Sequence, residues 1–201
     1  MNHHISRFRL TILCFLLFGL SATAQKYITR TAHINVKSEN RFTTIEADNY
    51  QVASVFDAQT GNIDYIGLLK SFEFKLGAAD QLFNSKMVDV SAHPNIKFTG
   101  KIYDIQRIDF SKPGEHTITV NGVLYIWDEK RVTSAVGKMR INADGSIEAT
   151  SSFNMVIEDG SVEKANQLMR EKLPSVIAVD TETLGISKNV AVNLTMTYKA
   201  K

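Results

Sequence analysis

The segments Tyr65-Ile66-Gly67-Leu68-Leu69-Lys70-Ser71-Phe72-Glu73-Phe74-Lys75-Leu76 and Asn95-Ile96-Lys97-Phe98-Thr99-Gly100-Lys101-Ile102 decide how this chain folds. Both carry alternating apolar and polar residues, and side chains along a strand point to opposite faces in turn. Phe72, Phe74 and Leu76 therefore share one face of the first segment, with Ser71, Glu73 and Lys75 on the other. In the second, Ile96, Phe98 and Ile102 oppose Lys97, Thr99 and Lys101. Between them, Gln81-Leu82-Phe83-Asn84 reads as a short helical turn ahead of His93-Pro94. The aromatic face of such a pair must be covered by a second sheet, by closure of the sheet on itself, or by a ligand.

The pattern recurs along the chain. It predicts strands over 26–37, 49–56, 62–76, 96–108, 116–127, 131–142, 146–158 and 189–199. Turn signals separate them at Thr60-Gly61, Pro113-Gly114, Asp128-Glu129-Lys130 and Ala143-Asp144-Gly145-Ser146. Asp144-Gly145 is a tight hairpin signature, because Gly tolerates positive φ between two alternating runs. Sequential strands with hairpin links make an all-β antiparallel meander. Helical spacing is confined to two places. One is 78–85, where Leu82 and Phe83 are placed to cap one end of the sheet. The other is 161–173, which stops at Pro174 and carries Val162, Ala165, Leu168, Met169 and Leu173 on one stripe. That stripe reads as a lid packed on a core rather than a membrane or partner helix.

At the start of the chain, Arg7 and Arg9 precede an apolar run from Leu10 to Leu20, and Ala22-Thr23-Ala24 offers small residues for cleavage. Residues 1–24 are therefore expected to be a signal peptide, and 25–201 a single domain. The run is short for a membrane span. No stable membrane insertion is expected once it is removed, and the periplasm is the expected destination. Cys14, the only cysteine, lies inside the run, so the remaining chain has no disulfide, thiolate nucleophile or cysteine-bound metal. Without Arg7 and Arg9 the 23 basic residues fall to 21, equal to the 21 acidic ones. No block of like charge remains, which argues against nucleic acid and gives no electrostatic case for an anionic membrane.

Catalytic chemistry finds little support. His33, His93 and His116 stand at no metal-ligand spacing. Asn142, Asp144 and Gly145 resemble part of a calcium loop, but Ser151 occupies the place of its bidentate glutamate. The sequence contains no GxSxG elbow, P-loop or dinucleotide fingerprint. His93, Asp89 and Lys97 form the one nearby polar group an enzyme acting on a lipid headgroup would draw on. The expectation is a non-enzyme with no cofactor. What the strands do supply is an apolar face carrying Phe72, Phe74, Phe98, Leu124, Ile126, Phe153 and Met155. It is either an ordinary packed core or the wall of a barrel wide enough to hold one small apolar ligand.

The order of Gly61, Phe72, Phe74, Phe83, Pro94, Ile96, Phe98, Gly100, Val120, Gly122, Leu124 and Ile126 resembles the YceI-like family of exported bacterial proteins. The resemblance spans essentially all of 25–201 and is most specific from Phe83 to Gly100. It implies a lipocalin-like, eight-stranded antiparallel barrel with one or two short helices, whose tunnel holds a polyisoprenoid, commonly in a dimer. The expected function is to sequester or transport an isoprenoid-like lipid or quinone; the alternative is a ligand-free interaction module of the cell envelope. On this reading Phe72, Phe74, Phe98, Leu124, Ile126, Phe153 and Met155 line the tunnel. Phe83, Leu168 and Met169 gate it, and Trp127 narrows it or covers an end. The chain departs from the family at Trp127-Asp128-Glu129-Lys130, where many members have His-Gly-Val-Thr, and in its longer 161–188 segment.

Overall fold

A computed structural model describes residues 25–39, 44–83, 93–126, 129–157, 163, 167 and 187–201. The strands are β1 (Lys26–Glu39), β2 (Thr44–Asp57), β3 (Asn62–Leu68), β4 (Glu73–Phe74), β5 (Asn95–Ile102), β6 (Gly114–Ile126), β7 (Glu129–Ile141), β8 (Ile147–Val156) and β9 (Asn189–Ala200). A single helix turn, α1 (Gly77–Leu82), precedes β5. The order β1-β9-β8-β7-β6-β5-β3-β2 returns to β1 through a β1–β2 pairing, so eight strands close into an antiparallel barrel. The two-residue β4 follows β3 along the same edge of β2, opposite the edge that β1 takes, and pairs Ala47 with Phe74 and Asp48 with Glu73. Closure removes the sheet edges that an open meander would leave unpaired.

The predicted strand over 62–76 is corrected: β3 stops at Leu68, and a 3-10 turn over Leu69–Ser71 separates it from β4. Asn49, fully buried on β2, donates its side-chain amide to Leu68 O at 2.8 Å. The Leu69 N–H turns to Pro94 O at 2.9 Å. The ladder is thus capped by a side chain. Phe72 is buried and Phe74 half-buried as the alternation predicts, but Leu76 is exposed. The predicted strand over 96–108 likewise ends at Ile102, because Asp104 takes a left-handed φ of 53° and a 3-10 turn follows over Ile105–Arg107. The Asp144-Gly145 hairpin forms as expected, with Gly145 at φ 79° and the Asn142 N–H bonded to Ser146 O at 2.9 Å. Of the helix expected over 161–173, only Glu163 and Gln167 are described, and both are helical.

The barrel is filled at one end. Tyr27, Phe56 and Phe110 form an aromatic cluster with centroid separations of 5.7–6.1 Å. Tyr198 joins it through Phe56 at 6.1 Å. Ile105 is buried beside this cluster, and Ile141 and Ile147 close the β7–β8 hairpin beneath it. Inward positions then open progressively. Ile141, Met139 and Gly137 on β7 are buried, whereas Ala135, Thr133 and Arg131 are only half-buried. On β8, Ile147 and Ala149 are buried, and Ser151, Phe153 and Met155 are half-buried.

Candidate functional site

Between the packed end and the half-buried rim lies a cavity of about 130 Å³, with side chains from all eight barrel strands around it. Its wall is almost wholly apolar. Phe72, Phe98, Leu124, Phe153 and Met155 line it, as the alternation implied. Phe74 shares the inward face, since it pairs with Ala47, whose partner on β1 is the wall residue Val36; Phe83 packs on it, with ring centroids 4.9 Å from Phe74 and 6.4 Å from Phe72. With Ala47, Leu69 and the wall residues Ile34, Val36 and Ile96 they form a second, smaller cluster continuous with the cavity wall. Ile126 is two residues past Leu124 on the same face, half-buried at the rim and outside the cavity wall. Trp127, Leu168 and Met169 lie outside the described residues.

A pair of glycines keeps the cavity open. Gly100 on β5 faces Gly122 on β6. A Cβ on Gly100 would sit 2.6 Å from the Phe98 ring, and one on Gly122 would sit 2.5 Å from it. Real Cβ atoms do not approach that closely, so the ring lies over two residues that have no side chain. Phe98 can therefore lie along the wall, tilted at 57° to the Tyr65 ring with 5.8 Å between centroids.

The polar groups that reach the interior are few and paired. The Tyr198 hydroxyl lies 2.7 Å from Ser54 Oγ and 3.4 Å from the Tyr65 hydroxyl. Ser54 Oγ donates to Asp64 O at 2.8 Å, and the Tyr65 hydroxyl to Met196 Sδ at 3.2 Å. Burial pushes the Tyr198 phenol up to about 12 and the Tyr65 phenol well above its ordinary value. Both are neutral at physiological pH. They can accept or donate a hydrogen bond but hold no charge for a ligand to neutralise.

Outside the barrel, His33 Nε2 lies 2.7 Å from Asp48 Oδ1, and the His33 ring stacks on Tyr50 at 4.4 Å. Asn35 Nδ2 donates to both Asp48 and Glu46 at 2.9 Å, and Lys75 pairs with Glu46. Burial raises the Asp48 carboxyl, but hydrogen bonds from Asn35 and His33 outweigh it and hold the group below its usual range. This network ties β1, β2 and the segment after β4 together on the outer face. Among the described residues, no group of three or more His, Cys, Asp or Glu is placed to hold a metal. Asp89 of the polar group named from sequence lies outside the described residues. Among them, no helix is long and apolar enough to cross a membrane.

Sequence reasoning missed Tyr65, Tyr198, Gly100 with Gly122, and Arg131 as parts of the interior. Parity was the available signal. Tyr65 is in phase with Ile63 and Gly67, and Arg131 with Thr133 and Ala135.

A closed antiparallel barrel with an apolar cavity and one packed end defines a lipocalin-like class of fold. No family model matches the chain, and no curated protein matches its sequence. Solved structures do. A polyisoprenoid-binding domain from Saccharophagus degradans, implicated in plant cell wall breakdown, aligns over 88% of this chain and 98% of its own at 12% identity, with a TM-score of 0.71. BcnA from Burkholderia cenocepacia aligns over 83% of this chain and 95% of its own at 12% identity, with a TM-score of 0.57. A YCEI protein from Campylobacter jejuni aligns over 82% and 85% at 14% identity, with a TM-score of 0.44. The first two show the fold that the resemblance to YceI-like proteins implied, a closed antiparallel barrel.

Proposed function

We propose that this chain is an exported lipid-binding protein that sequesters or carries an isoprenoid-like apolar chain in its barrel, without catalysis. The observation that carries the reading is the apolar cavity itself, on a barrel fold shared with a polyisoprenoid-binding domain. A dry apolar cavity of this kind takes hydrocarbon readily and water poorly. Export rests on the leader expected at residues 1–24, and dimer formation on the family resemblance.

Each methylene taken from water contributes about 0.8 kcal/mol before ordering costs, so affinity grows with the length of chain the barrel encloses. The two tyrosine hydroxyls give the buried end of a ligand one neutral polar contact, which suits a terminal hydroxyl or a quinone oxygen better than an anion.

Native mass spectrometry of protein from its own host, followed by lipid extraction, tests this directly. A stoichiometric isoprenoid or quinone is expected. Ligand-free protein that also takes up no farnesol or ubiquinone would overturn the reading in favour of an interaction module. Ala135→Trp, which adds an indole at a half-buried inward position, is expected to abolish uptake while the barrel still folds.

A further inference from the structure

We infer that the ligand enters and leaves sideways, through a seam between β7 and β8 that Arg131 straps shut; this rests on the lipid-binding reading above. Among the described residues the β7–β8 ladder runs from Ile141↔Ile147 only as far as Gly137↔Ser151. Yet β7 continues to Glu129 and β8 to Val156. Beyond Gly137 the crossing hydrogen bonds come from side chains. Ser151 Oγ donates to Val136 O at 2.8 Å, taking an acceptor the next backbone N–H would have used. Arg131 Nη1 donates to Val156 O at 2.6 Å, while its Nε and Nη2 hold Glu129 Oε2 at 3.1 and 2.6 Å. Thr133 and Ala135 on one lip and Phe153 and Met155 on the other are cavity wall. Separating the lips therefore costs side-chain bonds rather than a run of ladder bonds, each of which is worth about 1 kcal/mol net.

The charge balance of the whole chain gives no electrostatic case for an anionic membrane, but the local composition outside this seam points to an anionic lipid bilayer as the surface against which it works. Val132 is 89% exposed and Val136 59% exposed on β7, and Val156 is exposed on β8. Val132 pairs with Val123 on β6, and Tyr125 stands in one row with Lys97 and Lys130. Lys130 Nζ lies 5.6 Å from the Tyr125 ring centre. No carboxylate occurs in residues 95–102, 120–126 or 130–138. Within those segments the exposed valines and Tyr125 stand with lysines and without a carboxylate, and Glu129 beside Lys130 is held by Arg131, which suits acidic headgroups above an acyl layer. Because the patch borders the mouth of an apolar cavity, an isoprenoid could pass from bilayer to barrel without crossing water.

Two experiments test this. In the chain from residue 25 onward, which has no cysteine of its own, Ser134→Cys and Asn154→Cys put thiols on the outer faces of the two lips, at positions that extending the register would set opposite each other. Oxidation is expected to slow farnesol loading at least tenfold and reduction to restore it, and Arg131→Met is expected to speed release severalfold. Equal loading in both redox states would overturn the seam while leaving lipid binding intact; no loading in either would overturn both. For the surface, wild-type protein is expected to float with phosphatidylglycerol vesicles, less at high salt, and Val132→Glu with Val136→Glu to remain behind. No flotation would overturn the bilayer assignment. So would loss of a dimer in light scattering by the same pair of substitutions, since the patch would then join two copies.

Discussion

The hydroxyl of Tyr198, on the last strand, lies 2.7 Å from Ser54 Oγ on the second, reaching across β1 inside the barrel. This bond links the two strands that flank the first and helps to hold the ring closed. Ser54 keeps Asp64 O as its own acceptor when Tyr198 is removed, so Tyr198→Phe orphans no donor. The expected cost is about 1 kcal/mol, read as a lower urea midpoint.

The same phenol predicts an alkaline limit. Its pKa of about 12 in the fold lies above the roughly 10 of an unfolded tyrosine. Between those values the native state holds a proton that the unfolded chain releases, so stability is full below about pH 10 and falls as pH rises towards 12. Denaturation midpoints measured from pH 8 to 11.5 should bend downward above 10, with a weaker bend in Tyr198→Phe.

Gly122→Ala should act on the cavity through Phe98. The new methyl group meets the Thr99 carbonyl oxygen and the Gly100 backbone as well as that ring, so the β5–β6 pair must shift and the ring must turn with it. A loss of roughly 1–3 kcal/mol is expected from overpacking. Farnesol uptake should fall with it. Unchanged uptake at wild-type stability would show that the ring does not need the glycine floor.

Phe98→Asp and Thr99→Asp separate the two faces of β5. Phe98 lines the cavity, whereas Thr99 is exposed on the outer face. Lipid retention after purification should be lost in the first and kept in the second, because only the first puts a carboxylate in an apolar space. Equal retention in two folded variants would contradict the inward assignment.

Acid stability should depend on Asp48. Its carboxyl is held below the ordinary range, chiefly by Asn35 and His33 against the opposing effect of burial. Its contribution is therefore present above the unfolded value near 3.9 and lost as pH falls through the lower native value. Asp48→Asn should be less stable than wild type at pH 7, and its urea midpoint should fall less between pH 5 and 2.

The sequence alone determined the class of fold, because period-two alternation in segments such as Asn95–Ile102 is set by local backbone geometry, and Asp144-Gly145 by its turn. It also determined the wall residues Phe72, Phe98, Leu124, Phe153 and Met155, since parity within a strand decides which face a side chain takes. Where strands stop was not local. Leu68 ends β3 because Asn49, on another strand, takes its carbonyl. The His33–Asp48 pair is 15 residues apart in sequence and meets only through the β1–β2 register. Only the tertiary structure decided that Phe83 packs on Phe74 and Phe72, that Gly100 and Gly122 meet under Phe98, and that the β7–β8 ladder ends at Gly137 and Ser151. Each depends on how one strand is set against its neighbour, and no pattern within a single strand specifies that register.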